Sequence, residues 1–286
     1  MFRVGFFSYD NDNKAQQIPY SCFTFSGGEL QVRLQGPDTP PNYSSYSSYA
    51  DAPICIHANI FNANDILELM LLSDALRRKY PNAPLRLTMP YLPYARQDRV
   101  MVPGEALSLK VFTNLINSLN FQFVEIFDCH SDVGTALLDR VVNVHALEFV
   151  KKIATDNTVV ISPDAGAMKK VSKIAEALKL PMIVASKVRD PKDGSIKGTH
   201  IEIDLNEVNG KTLLIVDDIC DFGRTFIALA KAIRKTGASN PIELYVTHGI
   251  FAGGLDIFKE DIAHLYTANS FPGVDLTDLY LTVLKK

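Results

Sequence analysis

Short runs of aliphatic and β-branched residues alternate along the chain with longer segments in which apolar residues recur at helical spacing. The short runs predict strands at residues 54–57, 85–89, 123–127, 158–162, 182–186, 212–216 and 242–247. The longer segments predict helices at residues 63–79, 107–119, 165–178 and 225–236. Strands that alternate with helices are typical of parallel sheets covered by crossover helices, so the sequence predicts an α/β fold.

The alternation occurs on both sides of residues 146–157, and 286 residues suffice for two modest domains. We therefore predict an N-terminal domain at residues 1–147 and a C-terminal domain at residues 148–286. Residues 35–53 are rich in Pro, Ser and Tyr and follow neither period, so they predict a long loop. This loop is either a solvated excursion or a platform on which Tyr43, Tyr46 and Tyr49 stack against a base.

Composition narrows the classes of partner. The formal net charge is -3 and no long run of one sign occurs, which argues against nucleic-acid binding. No uninterrupted apolar stretch reaches the length of a membrane span and the N-terminus does not resemble a signal peptide, so we expect a cytoplasmic protein without a membrane partner. The four cysteines form no C-x-x-C pair, and we expect reduced thiols that act as small buried hydrophobic residues.

The segment TLLIVDDICDFGRTFIALAKAI carries the strongest chemical signal. An apolar strand ends in Asp217 and Asp218, a short turn follows, and Thr225 opens an apolar-periodic helix. A helix N-terminus favours an anion, and carboxylates just before it can accept hydrogen bonds from sugar hydroxyls. The pattern predicts a site for a phosphorylated sugar, with a plain capped helix after a buried strand as the alternative.

Within this segment, VDDICDFGRT resembles the phosphoribosyl-pyrophosphate motif of type I phosphoribosyltransferases. PYLPYARQDR, VVISPDAGAMKKV and THGIF resemble, in this order and at similar spacing, segments of the ribose-phosphate pyrophosphokinase (PRPP synthase) family. FSGGELQVRL and NANDILELMLLSDAL fit the same family, so the resemblance spans nearly the whole chain. It implies two tandem phosphoribosyltransferase-like domains.

The resemblance also implies a reaction, in which the β,γ-diphosphoryl group of ATP passes to the anomeric hydroxyl of ribose 5-phosphate in the presence of Mg²⁺. It implies ATP between the two domains and a homo-oligomer built from dimers, with the hexamer as the family's common case, in which a neighbouring subunit contributes to the adenine site. The ATP-binding residues implied are Phe25, Glu29, Arg96, Gln97, Arg99 and His130. The magnesium ligands implied are His130 and Asp164.

Two further groups of residues complete the implied site. Lys187 and Arg189, in ASKVRDPKDGSIKGTH, match a flexible catalytic loop that closes over the transferring phosphoryl groups. The phosphoribosyl-binding residues implied are Asp217, Asp218, Asp221, Phe222, Gly223, Arg224 and Thr225. Each cation and histidine has a plainer alternative: an ion pair for Arg96 and Arg99, a satisfied polar residue for His130, and solvated loop cations for Lys187 and Arg189.

Several positions depart from the family pattern. Phe222 and Arg224 stand where the family's D-T-x-G-T has a hydroxyl residue and a glycine, Gly27 replaces an aspartate beside the adenine, and Cys129 replaces a leucine. An added guanidinium suits a more extended anion, so ADP-ribose is an alternative acceptor to ribose 5-phosphate. A catalytically silent regulatory relative is the non-enzyme alternative, and a plain phosphoribosyltransferase is a third that the ARQD and SPDAG segments disfavour.

Overall fold

The computed structural model describes residues 2–6, 16–36, 52–189 and 196–286, with residues 187–189 and 196–197 described by their backbone alone. The chain divides into two compact units, Met1–Val144 and His145–Lys286, which we call unit 1 and unit 2. The boundary predicted from the sequence stood near residue 147. Each unit contains one six-stranded sheet, and the predicted α/β class is confirmed.

Unit 1 contains eight strands and three helices within its described residues. The strands are β1 (Arg3–Phe6), β2 (Gln16–Gln17), β3 (Tyr20–Thr24), β4 (Leu30–Leu34), β5 (Ile54–His57), β6 (Leu85–Thr88), β7 (Val124–Phe127) and β8 (Val141–Val144). The helices are α1 (Ala63–Lys79), α2 (Ser108–Ser118) and α3 (Asp132–Leu137). The sheet order is β2-β1-β5-β6-β7-β8, parallel from β5 to β8 and antiparallel at β1, while β3 and β4 form a separate hairpin.

Unit 2 contains the remaining elements. Its strands are β9 (Thr158–Ser162), β10 (Met182–Val184), β11 (Ser186–Arg189), β12 (Ile196–His200), β13 (Thr212–Cys220), β14 (Ile242–Gly249), β15 (His264–Ser270) and β16 (Leu281–Val283). Its helices are α4 (Leu147–Val150), α5 (Met168–Leu178), α6 (Leu205–Val208) and α7 (Arg224–Lys235). The sheet is parallel throughout in the order β10-β9-β13-β14-β15-β16, while β11 and β12 pair antiparallel.

Helix α1 illustrates how local sequence determines an element. The Asn62 side chain accepts hydrogen bonds from the backbone of Asn64 and Asp65, and the Asp65 carboxylate accepts one from the Asn62 N–H. This reciprocal capping satisfies donors that the first helical turn leaves open. Leu69, Leu72 and Leu76 bury one face of the helix in the unit 1 core. The predicted helix at residues 63–79 is confirmed.

Several predicted boundaries were wrong. Strand β13 runs to Cys220 rather than 216, because its pairing with β14 continues as far as Cys220 and Gly249 despite the two acidic residues. Helix α5 begins at Met168 rather than 165, because the intervening residues form a turn on Asp164. The apolar runs at β1–β4, β8, β12, β15 and β16 are short or interrupted, and no strand was predicted there.

All four cysteines are free thiols. Cys129 and Cys220 are buried as expected, but Cys22 and Cys55 are only partly buried. Within the described residues, no helix is long and apolar enough to cross a membrane.

Candidate active site

Three carboxylates lie at the carboxyl ends of β9 and β13, which are neighbouring parallel strands of unit 2. Asp164 follows β9, and its Oδ1 accepts hydrogen bonds from the N–H groups of Gly166 (2.8 Å) and Ala167 (3.1 Å). The Ser162 hydroxyl donates to the Asp164 carbonyl oxygen at 2.8 Å. These bonds fix the turn that leads into α5, and they hold Asp164 at the edge where open α/β sheets bind ligands.

Asp217 and Asp218 occupy the last part of β13. Burial raises the pKa of the Asp217 carboxyl well above its usual range, and the negative charges of Asp218 and then Asp164 raise it further. The Asp218 N–H donates to Asp217 Oδ1 at 2.9 Å, and Lys170 Nζ of α5 lies 3.7 Å from Asp218 Oδ2. The predicted acidic pair therefore lies within the strand, with Asp218 buried and Asp217 partly buried.

The residues 221–225, which we call the phosphate loop, connect β13 to α7. Gly223 adopts a left-handed conformation (φ 78°) immediately before α7, and its carbonyl accepts the N–H groups of Phe226 and Ile227. The carbonyl of Cys220 accepts the N–H groups of Ile250 and Phe251, and that of Asp221 accepts the N–H of Ala252. The N–H groups of Arg224 and Thr225, at the start of α7, precede those that bond to the Gly223 carbonyl and are the ones that can bind an anion.

Two aromatic side chains pack against glycines at the phosphate loop and at the end of β14. A Cβ added to Gly223 would lie 2.2 Å from Cζ of Phe258, and one added to Gly249 would lie 2.1 Å from Cε2 of Phe251. The rings of Phe251 and Phe258 meet edge to face with centroids 5.9 Å apart. Phe251 belongs to the THGIF segment, for which no role in the site was predicted. Phe258 lies in no recognisable motif, so the sequence offered no signal for it.

The two unusual residues of the phosphate loop contact each other. The Arg224 guanidinium carbon lies 5.5 Å from the centroid of the Phe222 ring, and Phe222 is 53% exposed. Arg224 and Thr225 are also exposed, whereas Asp221 is partly buried. An exposed aromatic ring with a guanidinium over one face offers both an apolar surface and a cation next to the phosphate loop.

In unit 1, the ARQDR segment lines a groove of about 380 Å³ together with Met101, Glu105, Ala106 and Ser108. Arg96, Gln97 and Arg99 are exposed along this groove. The Gln97 N–H donates to the Tyr94 carbonyl at 2.8 Å, and Tyr94 itself has a positive φ of 64°. This turn presents the polar residues of the segment on one surface, as the predicted ATP site requires.

Asp98 anchors this groove, although the sequence analysis assigned it no role. Arg99 donates from Nε to Asp98 Oδ1 at 2.9 Å and from Nη2 to Oδ2 at 3.3 Å, as the ion-pair alternative for Arg99 expected. The Asp98 side chain is 6% exposed. The hydrogen bond from Arg99 lowers the pKa of the Asp98 carboxyl, whereas burial raises it. The Ser131 side chain and the charge of His130 lower this pKa further. Asp98 therefore connects the ARQDR segment to the residues after β7, where His130 is exposed.

Asp98→Asn is expected to reduce the free energy of unfolding by about 1 kcal/mol at pH 7, because it removes a charge-assisted hydrogen bond from a buried acceptor. A carboxyl whose pKa is lowered in the folded state stabilises the fold at pH values above its unfolded pKa of about 4. This contribution is lost as the pH falls through the lowered pKa of the folded state. Denaturant unfolding at pH 7 and at acid pH measures the difference. Asp74→Asn, which breaks the exposed pair with Arg78, is the control and should change little.

The β3–β4 hairpin carries the two residues predicted to contact adenine. The Phe25 N–H donates to the Glu29 carbonyl at 2.9 Å, and the Phe25 side chain is 52% exposed. A Cβ on Gly27 would lie 2.8 Å from Glu29 Oε2, so an aspartate at this position would displace the glutamate carboxylate. The structure thus brings Phe25 and Glu29 together at one turn, and their contact with adenine stays a prediction.

Lys187 and Arg189 lie on β11 rather than in the predicted loop. Lys187 pairs with Thr199 of β12 and Arg189 with Ile196, with an irregularity between Val188 and Arg189. The resemblance and the polar, glycine-containing tail of the segment indicated a flexible loop. Pairing between β11 and β12 instead organises the residues on both sides of residues 190–195. Residues 190–195 lie outside the described residues, as do Tyr43, Tyr46 and Tyr49.

The predicted site residues are divided between the two units. Phe25, Glu29, Arg96, Gln97, Arg99 and His130 belong to unit 1, and Asp164, Lys187, Arg189 and residues 217–225 belong to unit 2. In the part of the chain that the structure describes, no group of three or more His, Cys, Asp or Glu side chains could hold a metal ion.

Comparisons with known proteins agree with the family that the motifs indicated. Residues 11–119 match the N-terminal domain of ribose phosphate pyrophosphokinase, and residues 135–261 match the phosphoribosyl transferase domain. A ribose-phosphate pyrophosphokinase of Thermosipho africanus is 30% identical over 268 residues, covering 91% of this chain and 80% of that protein. One from Thermococcus kodakarensis is 31% identical over 256 residues, covering 87% and 84%.

A solved structure supports the fold. The phosphoribosylpyrophosphate synthetase of Mycobacterium smegmatis superposes with a TM-score of 0.72 at 22% identity, covering 94% of this chain and 86% of that one. At this identity the likeness concerns the fold alone.

Proposed function

The chain belongs to the ribose-phosphate pyrophosphokinase family, and from this premise we propose that it transfers the β,γ-diphosphoryl group of ATP to the anomeric hydroxyl of a 5-phosphoribosyl acceptor, releasing AMP. The observation that carries the proposal is the arrangement at the end of β13. There Asp217 and the buried Asp218 precede the phosphate loop with two residues between, and the loop's left-handed Gly223 begins α7 and leaves the N–H groups of Arg224 and Thr225 to bind an anion. Such a site suits a sugar with hydroxyls at one end and a phosphate at the other.

The groups at the end of β13 and the start of α7 would bind the 5-phosphoribosyl acceptor. The phosphate of the acceptor would bind the N–H groups at the start of α7 together with the Thr225 hydroxyl. The carboxylates of Asp217 and Asp218, with Asp221, would accept hydrogen bonds from the ribose hydroxyls. The sugar is then held at both ends, which places its anomeric hydroxyl in one position for attack.

Cationic side chains would bind ATP, which is the diphosphoryl donor. Arg96 and Arg99 would bind ATP phosphates, and Asp98 orients Arg99 through two hydrogen bonds. Phe25 and Glu29 would contact the adenine, in a homo-oligomer whose neighbouring subunit supplies them. Lys187 and Arg189 would neutralise the negative charge that develops on the transferring phosphoryl groups.

The reaction as proposed requires Mg²⁺; the carboxylate of Asp164 fits this ion, whereas the imidazole of His130 is not a ligand that it prefers. The Asp164 carboxylate offers the oxygen ligand that Mg²⁺ prefers, and Mg²⁺ typically binds through one or two carboxylates together with waters and substrate phosphates. We propose Asp164 as its ligand in unit 2, and His130 in unit 1 is the other ligand that the family resemblance implies. When bound, the ion would neutralise charge on the phosphate oxygens of ATP.

Two acceptors are candidates for this reaction. Ribose 5-phosphate is the acceptor that the family names imply. ADP-ribose is the second, and the exposed pair of Phe222 and Arg224 favours it, because the pair offers an aromatic surface and a cation beyond the 5-phosphate position.

The test is to incubate the protein with MgCl₂ and ATP plus either ribose 5-phosphate or ADP-ribose, and to follow AMP and the new diphosphate ester by chromatography and ³¹P NMR. AMP formation with either acceptor supports diphosphoryl transfer and identifies the acceptor. Binding of ATP without AMP formation would instead favour the catalytically silent regulatory alternative. Consumption of PRPP with a free base would favour a phosphoribosyltransferase.

Arg224→Gln separates the two acceptors. If the guanidinium binds the second phosphate of ADP-ribose, its loss should lower kcat/KM for ADP-ribose by about tenfold, since a charge-assisted contact is lost. The value for ribose 5-phosphate should change by less than about threefold, because its single phosphate binds the backbone N–H groups. Equal losses for both acceptors would contradict a role specific to the larger one. Lys235→Gln, in the last turn of the same helix, is the charge-matched control.

A further inference from the structure

Lys170 occupies a position that helix stability does not explain. It lies in the first turn of α5, which also contains Lys169 and has no acidic residue. The helix macrodipole places partial positive charge at this end, so two lysines here oppose it. A lysine at this position is mildly unfavourable for the helix, and a contact with a carboxylate outside the helix can offset this.

One such contact is with the carboxylate of Asp218. Lys170 Nζ lies 3.7 Å from Asp218 Oδ2, and the side chains of Lys170 and Asp218 are 35% and 9% exposed. The separation exceeds the usual range of an N–H···O hydrogen bond, so the pair is held mainly by charge. An ammonium carries three donors, and this one can therefore remain beside Asp218 while a ligand approaches.

The fold fixes this pairing through two short connections. The turn on Asp164 determines where α5 begins, because Gly166 and Ala167 both donate to the Asp164 carboxylate. Strands β9 and β13 are neighbours, so the first turn of α5 is brought beside the acidic pair on β13. Lys170 thus adds a positive charge to a region that contains Asp164, Asp217 and Asp218.

We propose that Lys170 is a positioning residue, which holds the Asp218 carboxylate in the orientation that accepts hydrogen bonds from the ribose hydroxyls of the acceptor. The inference rests on the proposed function and extends it. Lys170 has a second effect on the same step, because its charge offsets the carboxylates that would otherwise repel an anionic acceptor. It acts on acceptor binding and leaves ATP binding to other residues.

The test compares Lys170→Met, which keeps the side-chain length but removes the charge, with Lys170→Arg and Lys173→Met. Lys173 is an exposed lysine of the same helix and serves as the control. Isothermal titration with ribose 5-phosphate should show binding weakened by about ten- to a hundredfold in Lys170→Met. Lys170→Arg should recover most of the affinity, Lys173→Met should match the wild type, and ATP affinity should stay within about threefold in all three.

A second measurement separates positioning from general loss of structure. The ratio of affinities for ribose 5-phosphate and 2-deoxyribose 5-phosphate reports how much a ribose hydroxyl contributes. This ratio should fall towards one in Lys170→Met, because a misoriented Asp218 no longer favours the hydroxyl. The same comparison applies to ADP-ribose and its 2″-deoxy form if that is the acceptor.

The outcomes distinguish this inference from the proposed function. Wild-type protein that binds neither acceptor and releases no AMP overturns both. Wild-type protein that binds acceptor, with an unchanged hydroxyl ratio in Lys170→Met, overturns the role of Lys170 alone. A lower melting temperature with unchanged acceptor affinity would assign Lys170 a purely structural contribution and also overturn the proposal.

Discussion

Lys187→Ala should lower kcat by about a thousandfold and leave the affinity for ATP within about threefold. A cation that contacts the phosphoryl groups mainly as charge develops stabilises the transition state more than the bound substrate, and removal of one such donor typically costs this much. Stopped-assay measurement of AMP gives kcat, and isothermal titration gives ATP affinity. Lys187 lies on β11, so the substitution removes a side chain from a paired strand without interrupting the backbone pairing.

Two further variants sharpen this result. Lys187→Arg keeps the charge and should recover part of kcat, whereas Lys173→Ala removes an exposed lysine of the same unit and should change nothing. If Lys187→Ala weakens ATP binding as much as it lowers kcat, Lys187 is a substrate-binding residue and its catalytic assignment fails. If kcat is unchanged, the plainer reading of a solvated cation is correct.

Gly223→Ala should destabilise the protein by about 3 kcal/mol and weaken acceptor binding by more than tenfold. Gly223 has a φ of 78°, which costs a residue with a side chain about 1 kcal/mol. The added methyl group would also lie 2.2 Å from the ring of Phe258, and forcing extra volume into a packed core costs about 1–3 kcal/mol. Because the loop or the ring must move, the N–H groups that would bind the phosphate lose their alignment.

Gly210→Ala isolates the backbone contribution to this result. Gly210 has a similar φ of 71°, but a Cβ there would meet no atom within 4 Å. Its substitution should therefore cost only about 1 kcal/mol and leave acceptor binding unchanged. Denaturant unfolding of both variants gives the difference that is due to Phe258. A result in which both variants lose the same stability would mean that the ring moves aside at no cost.

Phe258→Leu provides a second control on the same contact. The smaller side chain leaves space next to Gly223. Phe258→Leu should therefore lower the free energy of unfolding more in the wild type than in the Gly223→Ala variant. This non-additivity is the signature of two groups that compete for one volume. Equal effects in the two backgrounds would show that the alanine is accommodated elsewhere.

The sequence alone determined the α/β class, the helix α1 and the position of the phosphorylated-sugar motif. These features depend on periodicity, capping residues and local spacing, and each of these can be recognised within a short stretch of sequence. The motifs also indicated the family, because several stand in order along the chain. The ends of β13 and α5 were misjudged, because pairing with β14 and the turn on Asp164 determine them rather than local propensity.

The tertiary structure decided the contacts that give this site its chemistry. Lys170 meets Asp218, and Phe258 supports Gly223, across separations of 48 and 35 residues that no local pattern connects. Asp98 and Arg99 are adjacent in sequence, yet only the packing of the segment shows that the Asp98 carboxylate is buried and holds Arg99. A sequence determines which groups are present and which elements carry them. Their distances and burial arise only when strands and helices pack, since both depend on residues far apart in the chain.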